Sequence, residues 1–260
     1  MDLIARYNNR IIIKKLILSI TGINIDEPNN KGHFFTKEVE RIQSYNPEKY
    51  WDTLLYFNYL LEQFNKISKH NKLDFDYFLN EFSVDGDNLR GQKFEIQTYI
   101  RLLNKGLQFS KITHPDFEIQ FSDGAVFIEC ATRQRDKEGT YIKSVEGKII
   151  EKQTKGKEQS YANYNTALHI EISNPIYNSF GKEDFLDTPV LEQILNRMIK
   201  EVTFGAIVLI HHFYAKEDGI VYGHPVIKYH DKCNPNLKMM HDLMFELKLV
   251  RVSKVLKSHI

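Results

Sequence analysis

Asp116 and Glu129 stand in a stretch built to bring two carboxylates together. His114 to Gln134 reads HPDFEIQFSDGAVFIECATRQ. Phe117, Ile119 and Phe121 alternate with Asp116, Glu118 and Gln120; after Ser122-Asp123-Gly124, Val126, Ile128 and Cys130 alternate with Phe127, Glu129 and Ala131. Period-two alternation predicts strands, and Asp-Gly between two such runs predicts a hairpin. Asp116 opens the first strand and Glu129 lies late in the second, so the hairpin returns Glu129 beside Asp116. Two adjacent carboxylates repel each other as bare anions, and a divalent cation removes the conflict. Oxygen ligands suit a hard ion such as Mg²⁺, with Mn²⁺ as its substitute, completed by waters and a substrate phosphate. The competing interpretation is a surface hairpin with ordinary polar residues on its wet face. Against it, Phe127 shares that face with Glu129, and Glu129 interrupts the apolar run AVFIECA. A carboxylate in such a run needs a partner or an ion.

Pro115-Asp116, then Glu129, one free position at Cys130, and the residue after it together resemble the motif of the PD-(D/E)XK nuclease superfamily, the restriction-endonuclease-like fold. Ala131 stands where that motif has lysine. The resemblance spans roughly residues 89 to 230 and rests partly on the order of elements. It implies that Asp116 and Glu129 hold Mg²⁺ with the Cys130 carbonyl. Glu95, on the helix before the first strand, resembles the glutamate that superfamily members place near the metal, where it binds a second ion or orients water. The competing interpretation of Glu95 is an ordinary glutamate at the border of a buried stripe.

Beyond the hairpin, Lys148, Lys152, Lys155 and Gln159 recur at steps of four, three and four, the spacing of one helix face. Some superfamily members carry a relocated lysine there, often followed by a glutamine. The resemblance therefore assigns the missing positive charge to Lys155, paired with Gln159, or next to Lys152. A solvated basic face is the alternative. From Arg133 to Lys157 there are eight Lys or Arg and four Asp or Glu. That local excess, including Arg133, Arg135, Lys148 and Lys152, would attract a phosphate backbone.

Length and composition set the frame for these residues. A chain of 260 residues with 42% hydrophobic and 27% charged residues is an ordinary folded protein, with one domain or two. Net charge of +1 neither requires nor excludes nucleic acid. No apolar run is long enough for a transmembrane helix. MDLIARYNNRIIIKKLILSI carries charges within its apolar stretch and reads as a helix, not a signal peptide. Two cysteines, Cys130 and Cys233, fit a reducing, cytoplasmic setting. His211-His212 would point to opposite faces of one strand, with His169 in another strand and His224 in a Gly-His-Pro turn, so none forms an evident chelate. Zinc spacings, a P-loop, G-x-G-x-x-G and G-x-S-x-G do not occur, which disfavours an NTPase, a dinucleotide-dependent dehydrogenase and an α/β hydrolase.

The elements that must position the pair follow from periodicity. Helices are predicted over 4–20, 36–43, 47–67 with an Asn46-Pro47 start, and 74–82, with a break at Ser68–Lys72 and an Asp85-Gly86-Asp87 turn. A helix over Leu89–Lys105 ends at Gly106. Strands follow at 107–112, at the hairpin, and at 167–172, 205–212 and 221–229. Helices are predicted at 145–159 and 189–201, with a final mixed segment over 237–256. This order is an α/β fold, an α/β/α core with a mixed central sheet resembling restriction endonucleases, preceded by a mainly helical N-terminal region. Residues 1–88 form the helical region, for packing or substrate recognition, and 89–260 the nuclease-like domain.

The expected function is metal-dependent hydrolysis of phosphodiesters in DNA, by a restriction-like or defence endonuclease that acts alone or as a homodimer. Two alternatives stay open: a nucleic-acid-binding protein that keeps the fold without catalysis, and a protein-interaction module.

Overall fold

In the computed structural model, residues 10–44, 51–82, 89–132, 141–172, 188–215 and 220–245 are described. The chain divides into two compact units. The first contains the described residues through Ile100, together with Tyr214, Ala215 and Ile220. The second contains those of Arg101–Phe213 and of 221–245.

The first unit is helical: α1 (Arg10–Thr21), α2 (Phe34–Ser44), α3 (Trp51–His70), α4 (Lys72–Glu81) and most of α5 (Leu89–Asn104). Its core is aromatic. Phe34, Phe35, Phe64, Phe78 and Phe82 are buried, and Phe64 meets Phe82 edge to face with centroids 5.2 Å apart, the geometry that aromatic quadrupoles favour. The predicted break at Ser68–Lys72 is shorter than expected. α3 continues to His70, and Asn71 alone separates it from α4. Asn71 accepts hydrogen bonds from the Leu73 and Asp74 amides, so its cap starts the next helix at once. Asn46-Pro47 and Asp85-Gly86-Asp87 lie outside the described residues.

Gly106, with φ +67°, ends α5; the Gly106 and Leu107 amides donate to the Leu103 and Leu102 carbonyls. The second unit then begins with β1 (Phe109–Lys111), β2 (Phe117–Phe121) and β3 (Gly124–Thr132), in antiparallel succession. The first strand is shorter than the predicted 107–112. β3 runs parallel to β4 (Thr166–Glu171), and β4 parallel to β5 (Ala206–Ala215). β6 (Ile220–Tyr229) completes a six-stranded mixed sheet in sequence order. Every residue of β4 is buried, as a strand covered on both faces requires.

Both crossovers between the parallel strands are helical: α6 (Tyr141–Glu158) joins β3 to β4, and α7 (Thr188–Glu201) joins β4 to β5. Val145 and Ile149 of α6 and Leu191, Leu195 and Met198 of α7 pack with Leu168, Ile170, Ile207 and Leu209 on one face of the sheet. On the other face His169 meets His241 of α8 (Pro235–Met244), with Nε2 atoms 3.0 Å apart. Helices therefore flank a mixed central sheet, an α/β/α architecture. Residues beyond 245, including the rest of the predicted 237–256 segment, lie outside the described residues.

Candidate active site

Hairpin register decides where the two carboxylates go. Phe117 pairs with Ile128 and Phe121 with Gly124, leaving Ser122-Asp123 as a two-residue loop. Asn236 donates to Asp123 Oδ1 at 2.7 Å and ties the loop to the start of α8. Asp116 immediately precedes β2, so the same register sets it opposite Glu129. The Phe127 amide donates to the Asn165 carbonyl. In a parallel ladder the backbone groups of alternate residues then turn to the same neighbour. Those of Glu129 turn to β4, and those of Cys130 turn to the β2 side. There the Cys130 amide donates to Asp116 Oδ2 at 2.6 Å. Both carboxylates are buried, Asp116 8% and Glu129 2% exposed.

Three further side chains complete the cluster. Lys152 of α6 donates to Glu129 Oε1 at 2.5 Å. The Tyr161 hydroxyl donates to the same oxygen at 3.3 Å. Lys111 of β1 donates to Asp116 Oδ1 at 3.3 Å and to the Ile112 carbonyl at 3.0 Å, with its ammonium 5.3 Å from the Phe117 ring centroid. The fourth carboxylate oxygen, Glu129 Oε2, is buried and has no hydrogen-bond partner among the described residues.

Burial, then the charge of Asp116, pushes the Glu129 carboxyl up to about 7; Lys152 and Tyr161 pull the other way. Burial disfavours the Lys152 charge, but Glu129 and Asp116 outweigh it and raise that ammonium above its usual range. The two directions are compatible. Each carboxylate stabilises Lys152, whereas Glu129 faces a like charge as well as an opposite one. Tyr161 is driven well above the ordinary phenol range by burial and by Glu129.

Local sequence explains how α6 and the loop after it reach this place. Gln153 exchanges two hydrogen bonds with Thr203, each 2.9 Å, which fixes the rotation of α6 and hence the aim of its neighbour Lys152. Gly156 lets the chain fold back closely. A Cβ there would lie 2.9 Å from Tyr161 Cε2 and 2.7 Å from the Ala162 Cβ. The helix passes through Gly147 and Gly156 without interruption.

The other candidate residues are spread more widely. Lys155 is 58% exposed at its side chain and pairs with Glu151, which also binds Lys148. Lys152, not Lys155, is the α6 lysine that meets the carboxylates. Gln159 is exposed, just past the end of α6. Glu95 is half-buried on α5, in the first unit. Cys130 is buried, and Ala131 packs in the cluster with Val145 and Ile149. Arg133 and Arg135 lie outside the described residues, as do the side chains of His211, His212 and His224.

Sequence reasoning missed Lys111 and Tyr161. Lys111 did leave a signal, a lysine two residues after Phe109 in a predicted strand, opposite Phe117 in the register. Tyr161 left none, because its place depends on the turn that follows α6.

Among the described residues, no group of three or more His, Cys, Asp or Glu gathers as a metal site. A hard divalent ion needs only one or two carboxylates when waters and substrate phosphate complete its shell. Glu129 Oε2, buried beside the charge of Asp116 and unpartnered among the described residues, fits such an ion. Compared with known proteins, the chain matches no family model, no curated protein and no solved structure.

Proposed function

We propose that the chain is a metal-dependent phosphodiesterase acting on DNA, with a restriction-endonuclease-like second unit. The observation that carries this reading is Glu129 Oε2, buried without a partner among the described residues, in a cluster that already holds two carboxylates and two ammonium groups. Mg²⁺ or Mn²⁺ would be held by Glu129 and Asp116, with the Cys130 carbonyl directed to the same edge. Such an ion supplies Lewis-acid stabilisation of the attacked phosphate and a water of lowered pKa.

The chain's own residues do the rest. Lys152, within reach of Glu129, offers positive charge to the phosphate oxygens as the water oxygen bonds phosphorus and the leaving oxygen departs. It takes the part of the lysine that the motif lacks at Ala131. Tyr161 and Lys152 together hold the Oε1 side of Glu129 and so orient Oε2. The Cys130 amide and Lys111 orient Asp116 in the same way. Lys148 lies one helical turn from Lys152 and would meet the backbone of a bound duplex.

One observation favours a second reading, a DNA-binding protein without catalysis. Each carboxylate already has an ammonium partner, so the cluster is electrically balanced without an ion. Single-turnover cleavage of plasmid and short duplexes in Mg²⁺ and Mn²⁺ separates the two, with Asp116→Ala as the contamination control. Metal-dependent cleavage lost in Asp116→Ala supports the enzyme. Duplex binding with neither cleavage nor metal uptake supports the second reading.

A further inference from the structure

The four carboxylate oxygens of the cluster are not equivalent. Asp116 Oδ2 is taken by a backbone amide and Oδ1 by the Lys111 ammonium. Glu129 Oε1 is shared by Lys152 and Tyr161. Only Glu129 Oε2 lacks a partner among the described residues. The Lys111 side chain is only 5% exposed, and it is held by Asp116, by the Ile112 carbonyl and by the face of Phe117.

We propose that the Lys111 ammonium is a built-in cation in the place a second divalent ion would take beside Asp116, so that the pair accepts a single ion, on the Glu129 side. This inference rests on the metal-dependent reading above and narrows it. Charge supports it. Asp116 and Glu129 balance Lys111 and Lys152. One divalent ion with one phosphodiester leaves a single excess positive charge. Two ions with the same phosphodiester would leave three in a buried cluster, where like charges are poorly screened. Geometry supports it as well. A lysine held by a carbonyl and an aromatic face is not free to swing out of the way, and hydrogen bonding by a compact ammonium replaces what a metal would do for Asp116 Oδ1. Lys111 is thus a positioning residue that sets metal stoichiometry.

Equilibrium dialysis of the full chain against Mn²⁺ tests this, with circular dichroism confirming the fold of each variant. The unaltered chain is expected to bind one Mn²⁺, lost in Glu129→Ala. Lys111→Met, which removes the charge but keeps the stem, is expected to bind two. Lys111→Arg is expected to stay at one. Lys111→Gln replaces the methionine variant if that variant does not fold. Two ions on the unaltered chain would overturn the inference while leaving the metal-dependent reading intact. One ion, or weaker binding, in both neutral variants would also overturn it, because Lys111 would then merely support a ligand. No Mn²⁺ on the unaltered chain would remove the metal-dependent reading itself.

Discussion

Replacing Glu129 with glutamine should change how stability depends on pH, in a direction the site fixes in advance. Glu129 is 2% exposed, and burial, followed by the charge of Asp116, lifts its carboxyl from 4.5 to about 7. Between those values the folded protein keeps a proton that the unfolded chain has released. The resulting contribution to stability is fully present below about pH 4.5 and is lost as pH rises through about 7. At about 1.4 kcal/mol per pH unit, the loss amounts to about 3 kcal/mol. Glutamine has the shape of the protonated acid and does not titrate. The unfolding free energy of Glu129→Gln minus that of the unaltered chain should therefore rise by about 3 kcal/mol between pH 4.5 and 8. Urea unfolding followed by circular dichroism in EDTA measures both proteins, and taking the difference cancels the other titrating groups. Mn²⁺ at about a hundred times its dissociation constant should then restore about 2.7 kcal/mol to the unaltered chain at pH 8, and nothing to the variant. A flat difference across the range, or one that moves against glutamine as pH rises, would refute the reasoning. Either result would mean that the Lys152 ion pair outweighs burial and the Asp116 repulsion.

Lys152→Ala should cut single-turnover cleavage by orders of magnitude, the effect of losing a transition-state contact of about 3–4 kcal/mol, whereas Lys155→Ala should stay near full rate. Equal losses in the two variants would contradict the placement of Lys152 alone at Glu129. Gly156→Ala should destabilise the fold by about 1–3 kcal/mol in thermal or urea unfolding, because its Cβ would collide with the Tyr161 ring and Ala162. An unchanged midpoint would show that the turn after α6 gives way freely. Lys148→Gln should lower the slope of log affinity for duplex DNA against log salt by about one, and an unchanged slope would place Lys148 off the phosphate path.

The fold was legible wherever local pattern and tertiary burial point the same way. Strict alternation around Asp123-Gly124 marked the hairpin, and the apolar run at Gly205–His212 marked a strand whose residues 206–210 are buried on both faces. The break at Ser68–Lys72 was overestimated because serine, lysine, histidine and asparagine there resemble a loop in composition. Only Asn71 acts as one, through its side-chain cap, and the aromatic core holds the preceding turn helical. β1 was overestimated for the opposite reason. Leu107 and Ile112 are apolar, but the Leu107 amide caps α5 and the Ile112 amide donates to the Asp116 carbonyl, so neither joins the regular ladder.

At the site, the choice between Lys155 and Lys152 turned on helix phase, and the information was in the sequence. Spacings of four and three put Lys148, Lys152 and Lys155 on one broad arc, but an arc does not say which member faces inward. The buried stripe does. Val145, Ile149, Gln153 and Gly156 point into the second unit. At about 100° per residue, Lys152 falls about 20° beyond Val145, at the edge of that stripe, whereas Lys155 falls about 80° beyond it, on the solvent side. A lysine at the edge of a buried stripe is drawn to a carboxylate, and Glu129 is the one it meets. The departure at Ala131 belongs to the same arrangement. A small residue two positions beyond Glu129 packs under Val145 and Ile149 and brings α6 down onto β3. The positive charge that the hairpin itself lacks then arrives from the helix above it.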